Sequence, residues 1–291
     1  MSKLGAYINL TKPAVSALLL LGGITGAFMD LQNIVRFPIK FLIGIVALFI
    51  SIAGANALSN YIDRDIDAKM KRTCNRALPS GKISPKEAIR FAVATIIVGL
   101  IVAFYVSFYE FFWILIGVVF DPVLYNFLSK RRTYYNILIG SIAGGAPVMA
   151  GWSAVSGALF SVQPFLIMIA IIIWTPVHIW SIAIKYKDDY EKANVPMLPV
   201  VKGIKTSSYA IGSFALALFI VTALYGLEYM KEPFGIIVII LGLVMLLFSI
   251  RLLSSKNVMN DSMRLFIFSN IYLAIVFIFI IINSIISYLL R

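Results

Sequence analysis

Apolar residues run along this chain in long windows separated by short polar stretches. Each window holds about 18 to 23 residues, the length of α-helix that crosses the roughly 30 Å hydrocarbon core of a bilayer. The pattern predicts nine membrane-spanning helices, at about residues 13–30, 38–60, 88–107, 109–129, 136–155, 163–184, 207–228, 234–255 and 265–288. We therefore expect an all-α polytopic membrane protein in which residues 1–291 form a single domain.

The composition agrees with this pattern. Hydrophobic residues make up 61% of the 291 residues, charged residues only 13%, and the mean hydropathy is +0.95. A soluble protein needs far more polar residues to cover its surface, so the chain is expected to be an integral membrane protein. Its single cysteine, Cys74, excludes an intramolecular disulfide.

The basic residues lie almost entirely on one side of the predicted membrane. With the N-terminus in the cytoplasm, alternate loops collect all 25 Lys and Arg residues except Arg36, Lys40, Lys231 and Arg291. Cytoplasmic loops are enriched in Lys and Arg, so we expect a cytoplasmic N-terminus, an outside C-terminus and a location in the plasma membrane. The enrichment of Lys and Arg in the cytoplasmic loops therefore explains the net charge of +12, which does not indicate a nucleic-acid partner.

Two long cytoplasmic loops carry most of the polar residues, at about 61–87 and 185–206. The outside connections are short and hold no candidate chemistry. The two loops are about four helices apart, which is consistent with two related halves plus one extra helix. We therefore expect the active site to face the cytoplasm.

The first loop begins within the stretch NALSNYIDRDIDAKMKRTCNRALPSG, residues 56–81, which we call the acidic-basic segment. In helical geometry Asp63 and Asp67 lie on one face, about 6 Å apart, whereas Asp65 points away. A Mg²⁺ ion between the two carboxylates would offset their repulsion and leave coordination positions for a substrate phosphate.

The residues around these aspartates extend the pattern. Ser59 and Asn60 are candidates for neutral oxygen ligands or hydrogen bonds. Basic side chains suited to phosphate oxygens follow. They are Lys69, Lys71, Arg72, Arg76 and Lys82. The segment therefore indicates a diphosphate site. The alternative is a solvated interfacial loop, which explains the bases but not two acids at the end of an apolar run.

A second polar region surrounds the end of the sixth predicted helix, residues 174–203. One stripe at helical spacing consists of Trp174, His178, Lys185 and Asp189, with Asp188 beside it. The only histidine, His178, lies seven residues from Lys185 and therefore about 10 Å into the membrane. Pro176 removes a backbone hydrogen bond there, and we expect a kink that opens a cavity.

Two buried polar residues keep several roles open. His178 is a candidate iron ligand, a donor to a carboxylate, or a partner of a neighbouring helix. Asp121 lies about eight residues inside the fourth predicted helix, and Tyr125 and Asn126 continue a polar strip toward the basic stretch 130–132. An acid inside the membrane is a candidate functional residue. The alternative is a structural role, in which neighbouring packed helices satisfy the hydrogen bonds of the Asp121 carboxyl group.

These motifs resemble the UbiA superfamily of intramembrane prenyltransferases, whose first signature is N-x-x-x-D-x-x-x-D followed by basic residues. Within it, the branch that farnesylates protoheme IX is the most similar. The similar strings are LTKP (10–13), DRDIDAKMKRTCNR (63–76), LPSG (78–81), KRRTYYN (130–136), GGAP (144–147), WTPVH (174–178) and VPMLPVVKG (195–203). Ser59 departs from the signature asparagine, and the second D-x-x-x-D of quinone-type members is missing. The last three predicted helices carry no motif.

The resemblance implies a fold and a reaction. The helices should surround a central cavity, with the prenyl tail open to membrane lipid. The reaction would be a Mg²⁺-dependent transfer of the farnesyl group of farnesyl diphosphate to a vinyl group of heme b, giving heme O for heme-copper oxidases. A downstream heme A synthase or oxidase is left open as a further partner.

The resemblance also implies roles for individual residues. The metal ligands would be Asp63, Asp67, Asp188 and Asp189. The substrate-binding residues would be Arg72, Arg76, Lys130, Arg131, Ser59, Asn60 and Asp121. Lys185, four residues before Asp189, would contact a phosphate or a heme propionate. The catalytic residues would be Asp63, Asp67, Lys185 and Asp189. His178 would contact the heme iron or a propionate.

Two other functions stay open at this point. Within the superfamily, the acceptor is alternatively a quinone precursor or a glycerol phosphate lipid, although the missing second D-x-x-x-D weighs against both. A polytopic transporter would also show many helices and buried acids, but its charged residues normally lie near the bilayer midplane.

Overall fold

The computed structural model describes residues 2–290, which form helices joined by short loops. The helices are α1 (Lys3–Leu10), α2 (Pro13–Phe28), α3 (Leu31–Arg36), α4 (Pro38–Ile62), α5 (Arg64–Lys69), α6 (Pro85–Val106), α7 (Phe108–Val118), a π-helix (Val119–Ser129), α8 (Asn136–Ser156), α9 (Val162–Lys185), α10 (Lys187–Lys192), α11 (Leu198–Val201), α12 (Gly203–Tyr229), α13 (Phe234–Ser254) and α14 (Val258–Leu289). The prediction of an all-α fold is confirmed.

Within residues 2–290, eight helices are long and apolar enough to cross a bilayer when α7 and the π-helix count as one span. The bent pair of α1 and α2 makes a ninth candidate, with an angle of 50° between its halves. Lys12 stands at the bend in a left-handed conformation, with φ of 49°, and Pro13 begins α2. All nine predicted windows coincide with these helices, whereas the bend was not predicted.

Helices α2 and α8 approach each other closely through glycines. A Cβ atom on Gly26 would overlap the carbonyl group of Val148, and a Cβ atom on Gly151 would overlap the carbonyl group of Gly23. In lipid, helices associate through such close backbone packing, because burial of apolar side chains gives little driving force there. These contacts hold together two walls of the central cavity.

The π-helical turn at Val119–Ser129 is a local consequence of Pro122, which lies in its first turn. Proline has no N–H to donate, and its ring clashes with the carbonyl group one α-helical turn earlier. A wider π-helical turn accommodates both effects and is often found at functional sites. The apolar pattern predicts the span but not this change of pitch.

The helices enclose a cavity of about 550 Å³, which confirms the expected central cavity. Its walls come from α2, α4, α7 with the π-helix, α8, α9 and α14. Most lining residues are apolar, and the polar side chains among them include Ser51, Asn56, Asp121, Tyr125, Thr175, His178 and Asn270. An apolar pocket of this size with a few polar groups is typical of a small-molecule site.

The two long loops contain short helices, with α5 in the first and α10 and α11 in the second. The loops meet where the guanidinium of Arg72 lies 5.5 Å from the ring centroid of Tyr186. Helix α9 ends at Lys185, because Tyr186 leaves helical geometry with φ of −108° and ψ of 28°. The prediction that Asp189 continues the helical stripe of His178 is therefore wrong, since Asp189 lies on the separate helix α10.

Candidate active site

Asp63 and Asp67 lie at the junction between α4 and α5. Asp63 itself separates the two helices, and the backbone N–H of Asp67 donates to its carbonyl oxygen at 2.8 Å. This bond keeps the two acids one turn apart, as the spacing predicts. Both residues are buried, with 4% and 5% of their surface exposed.

Each of these acids pairs with a base from another part of the chain. Lys130, which follows the π-helix, donates to Oδ2 of Asp63, and Arg76 donates to both carboxylate oxygens of Asp67 at 3.1 and 2.8 Å. Burial would lower the pKa of Lys130, but the Asp63 carboxylate outweighs it and raises that pKa. The structure thus brings together four predicted site residues as two ion pairs.

One oxygen of Asp63 is left without a partner. Its Oδ1 atom is buried and accepts no hydrogen bond from residues 2–290. A buried polar atom without a partner costs about 1–3 kcal/mol, which a ligand at that position would recover. Two adjacent carboxylates, one with an oxygen still free, fit a Mg²⁺ ion, which takes one or two protein carboxylates and keeps water or phosphate in its other positions.

The protein would hold such an ion with few of its own ligands. No group of three or more His, Cys, Asp or Glu side chains within residues 2–290 is arranged around a common metal position. The structure therefore does not join Asp188 and Asp189 with Asp63 and Asp67 into one cluster, because α10 is a separate helix beyond the end of α9. Their role as metal ligands stays a prediction.

Ser59 links the acidic-basic segment to the buried acid of the π-helix. Its hydroxyl donates to Oδ2 of Asp121 at 2.6 Å and accepts from Nδ2 of Asn126 at 2.9 Å. Asp121 lines the cavity, and Oδ1 of Asn126 lies 3.4 Å from Nζ of Lys130. The hydroxyl proton of Ser59 is thus already donated to Asp121, and its role as a metal or phosphate ligand stays a prediction.

Asn60 connects three parts of the site. Its Nδ2 donates to the carbonyl oxygen of Leu10 at 2.7 Å, and its Oδ1 accepts from Arg76 at 3.4 Å. The end of α1 is thereby tied to the Arg76 and Asp67 pair. This geometry supports a positioning role for Asn60.

The arginines of the predicted phosphate site differ in what they contact. Arg131 forms a two-pronged pair with Asp65, with both distances 2.7 Å, and also donates to the carbonyl oxygen of Ile62 at 2.9 Å. Its guanidinium hydrogen bond lowers the pKa of Asp65 to about 2. Arg72 stacks on Tyr186 and makes no side-chain hydrogen bond to another described residue, so its donors stay available to a phosphate.

The second loop presents polar side chains at the same face. Lys185 and Asp188 are exposed, and Asp189 is 8% exposed. None of the three forms an ion pair with another residue in the described part of the chain. Their predicted contacts to metal, phosphate or propionate stay predictions.

No charge pattern in the sequence marks Lys12 as a site residue, although the fold brings it near two of the site's acids. Lys12 lies within electrostatic range of Asp121 and Asp63, at the bend between α1 and α2. The only signal is the string LTKP at 10–13, which is distant in sequence from both acids.

His178 also lines the cavity and is held by the last helix. Its Nδ1 atom lies 2.8 Å from Oγ of Ser269 on α14. The imidazole stacks between Trp174 and Phe266, with a centroid distance of 4.4 Å to each ring. No sequence motif marks Ser269 or Phe266, and α14 nevertheless completes the site.

The fold and the paired acids and bases define an intramembrane prenyltransferase, and residues 19–281 match the model of the UbiA prenyltransferase family. The chain belongs to this family. Family membership places it among transferases, so the transporter alternative is not supported.

Among its relatives, the chain is similar to the protoheme IX farnesyltransferase of Thermoplasma volcanium, with 36% identity over 97% of this chain and 98% of the relative. It is also similar to the protoheme IX farnesyltransferases of Picrophilus torridus, with 35% identity over 99% of this chain and 97% of the relative, and of Neorickettsia sennetsu, with 34% identity over 94% of this chain and 90% of the relative.

Solved structures share the fold. A structure reported for digeranylgeranylglyceryl phosphate synthase in membranes has a TM-score of 0.79 and 22% identity, covering 98% of this chain and 99% of that one. A UbiA homolog from Archaeoglobus fulgidus, bound to GPP and Mg²⁺, has a TM-score of 0.68 and 18% identity, covering 94% of this chain and 99% of that one. At these identities the likeness establishes the fold alone.

Proposed function

We propose that this protein transfers the farnesyl group of farnesyl diphosphate to a vinyl group of heme b, giving heme O. The observation that supports this proposal is one apolar cavity lined by two different kinds of polar group. Asp121 belongs to the hydrogen-bonded network that reaches Lys130 and Asp63, and His178 lines the same cavity. The relatives named protoheme IX farnesyltransferase support the same donor and acceptor.

The diphosphate would bind at the two ion pairs. Lys130 and Arg76 each use only some of their N–H groups on Asp63 and Asp67, so the others can donate to diphosphate oxygens. Arg72 adds donors from the neighbouring turn. Asp63 and Asp67 would hold Mg²⁺, which would supply positive charge that stabilises the leaving group.

Farnesyl transfer then needs three bond changes. The bond between C1 of the farnesyl group and the diphosphate oxygen breaks, and its electron pair leaves with diphosphate. The vinyl group of heme b supplies the pair for the new carbon–carbon bond to C1. Water adds to the resulting cation on the heme side and loses a proton, which leaves a hydroxyethyl carbon. The basic residues stabilise the departing charge, and the apolar lining keeps water away from the first cation.

The reaction would take place at the cytoplasmic face of the plasma membrane. This placement rests on the asymmetry of Lys and Arg between alternate loops, since both ion pairs lie at the heavily basic end of the spans. His178 would contact the heme, and Lys185 would contact a propionate. The product would pass to a heme A synthase or to an oxidase that uses heme O.

The test is an assay of membranes containing the protein with heme b, farnesyl diphosphate and Mg²⁺, scored by mass spectrometry. The wild type should form a heme heavier by a farnesyl group and a hydroxyl group, and Asp63→Ala should abolish it. Asp30→Asn is a control, because Asp30 caps α3 by hydrogen bonds to Asn33. Diphosphate release without a modified heme, in the presence of a phenolic or glycerol phosphate acceptor, would contradict the proposal.

A further inference from the structure

The contacts of Ser269 determine which nitrogen of His178 carries its proton. Oγ of Ser269 lies 2.8 Å from the carbonyl oxygen of Phe266 and 2.8 Å from Nδ1 of His178. A carbonyl oxygen only accepts hydrogen bonds, so the serine proton serves Phe266. Both contacts are satisfied when Oγ accepts from Nδ1–H. His178 is then a neutral imidazole whose lone pair is on Nε2.

That lone pair opens into the cavity. Nε2 makes no hydrogen bond to residues 2–290, and it is not among the fully enclosed unpartnered nitrogens of this part of the chain. Since His178 lines the cavity, the accessible ring edge that holds Nε2 faces the space where a ligand binds. A neutral imidazole nitrogen that has a free lone pair and no protein partner is able to ligate a metal ion.

The ring is also fixed in direction. Trp174 covers one face of the imidazole at an interplanar angle of 15°, and Phe266 covers the other at 25°. Nε1 of Trp174 donates to the backbone carbonyl of Ser269 at 2.9 Å, which ties α9 to α14 at this level. Because both faces are covered, a ligand can reach the ring only along its edge.

We propose that Nε2 of His178 is an axial ligand of the iron of a porphyrin bound in the cavity, and that Ser269 is the positioning residue for that ligand. This inference rests on the proposed function and deepens it. Metal-ligating histidines commonly donate their other N–H to an oxygen, which sets the tautomer and the ring orientation. Histidine is also a common axial ligand of heme iron.

This ligation would give the acceptor a fixed place. Lys185 lies seven residues from His178 on α9, about 10 Å toward the cytoplasmic end at 1.5 Å per residue. The macrocycle would then be held at its iron by His178 and at its propionate edge by Lys185. The last helix gains a role, since it supplies both the hydrogen-bond acceptor and one stacking ring.

The test is a titration of the purified full-length protein with heme b, followed by absorption and electron paramagnetic resonance spectra. The wild type should show nitrogen-ligated heme, His178→Ala should lose that signature, and added imidazole should restore it. Ser269→Ala should weaken heme binding about 10-fold, because loss of such an outer partner typically costs 10–100-fold in metal affinity. Ser269→Thr keeps the hydroxyl and should restore binding.

A matched control comes from the same helix. Ser262 is fully buried on α14 and donates to the carbonyl oxygen of Met259, three residues earlier, as Ser269 does to Phe266. Ser262→Ala should therefore leave the heme spectrum unchanged. Binding of farnesyl diphosphate by His178→Ala with wild-type affinity would show that this variant is folded.

The outcomes separate the two proposals. A wild-type heme spectrum in His178→Ala, together with heme O formation by the wild type, would overturn iron ligation and leave the proposed function intact. Equal loss of heme binding in Ser262→Ala and Ser269→Ala would overturn the positioning role of Ser269. Failure of the wild type both to bind heme and to form heme O would overturn both proposals.

Discussion

The two adjacent bases Lys130 and Arg131 should differ sharply when each is replaced by methionine. The side chains of Lys130 and Asp63 are only 14% and 6% exposed, whereas those of Arg131 and Asp65 are 39% and 53% exposed. Lys130→Met leaves a buried carboxylate without its cation. Arg131→Met leaves a carboxylate that water can solvate.

The expected magnitudes follow from this difference. Removing one partner of a buried ion pair costs about 3–5 kcal/mol, because the remaining charge stays desolvated. An exposed pair contributes about 1 kcal/mol or less, since water screens it. We therefore expect Lys130→Met to lower the free energy of unfolding by at least about 2 kcal/mol more than Arg131→Met.

The assay is reversible unfolding of the purified protein in detergent micelles, without substrate or added metal, with a double-mutant cycle. The variant that combines Asp63→Asn with Lys130→Met removes both charges and should recover part of the stability lost in Lys130→Met alone. Equal destabilisation by Lys130→Met and Arg131→Met, or purely additive effects of Asp63→Asn and Lys130→Met, would refute the reasoning.

Three further predictions concern packing, pH and the metal. Gly26→Ala should lower the free energy of unfolding by about 1–3 kcal/mol, because the new Cβ atom would overlap the backbone of Val148. Gly212→Ala is the control and should leave that free energy unchanged, because its Cβ atom would meet nothing within 4 Å. Thermal unfolding in detergent compares the two variants. Arg131 lowers the pKa of Asp65 from 3.8 to about 2. The stability advantage of wild type over Asp65→Asn, at most about 1 kcal/mol, should therefore be present above pH 4 and disappear as the pH falls toward 2 in unfolding titrations. Chelation with EDTA should abolish farnesyl transfer and Mg²⁺ should restore it in the mass-spectrometric assay; full turnover in EDTA would contradict the metal site.

The spans and the acid and base residues of the site were predictable from local signals. An apolar window long enough to cross a bilayer has few alternatives to a helix, because every backbone polar group must be satisfied within lipid. Asp63 and Asp67 stand out for a related reason, since acids at the end of such a window need a partner. The structure supplies those partners as Lys130 and Arg76.

The parts that were not predictable depend on contacts between distant segments. Ser269 is one of many serines in apolar helices, and only the packing of α14 on α9 brings it to His178. Lys12 reaches the site through a bend at a left-handed residue, which hydropathy does not encode. Asp189 leaves the expected stripe because the helix ends at Lys185, where neither proline nor glycine marks the boundary.

The most direct test of the central claim is a competition between acceptors. Membranes containing the protein would receive isotopically labelled farnesyl diphosphate and Mg²⁺ with heme b, a phenolic quinone precursor and a glycerol phosphate lipid present together. The proposed reaction predicts that mass spectrometry finds the labelled farnesyl group on heme, together with one added hydroxyl group, and that Asp63→Ala abolishes this product. Label on the phenolic or glycerol phosphate acceptor, with heme unmodified, would contradict heme as the acceptor.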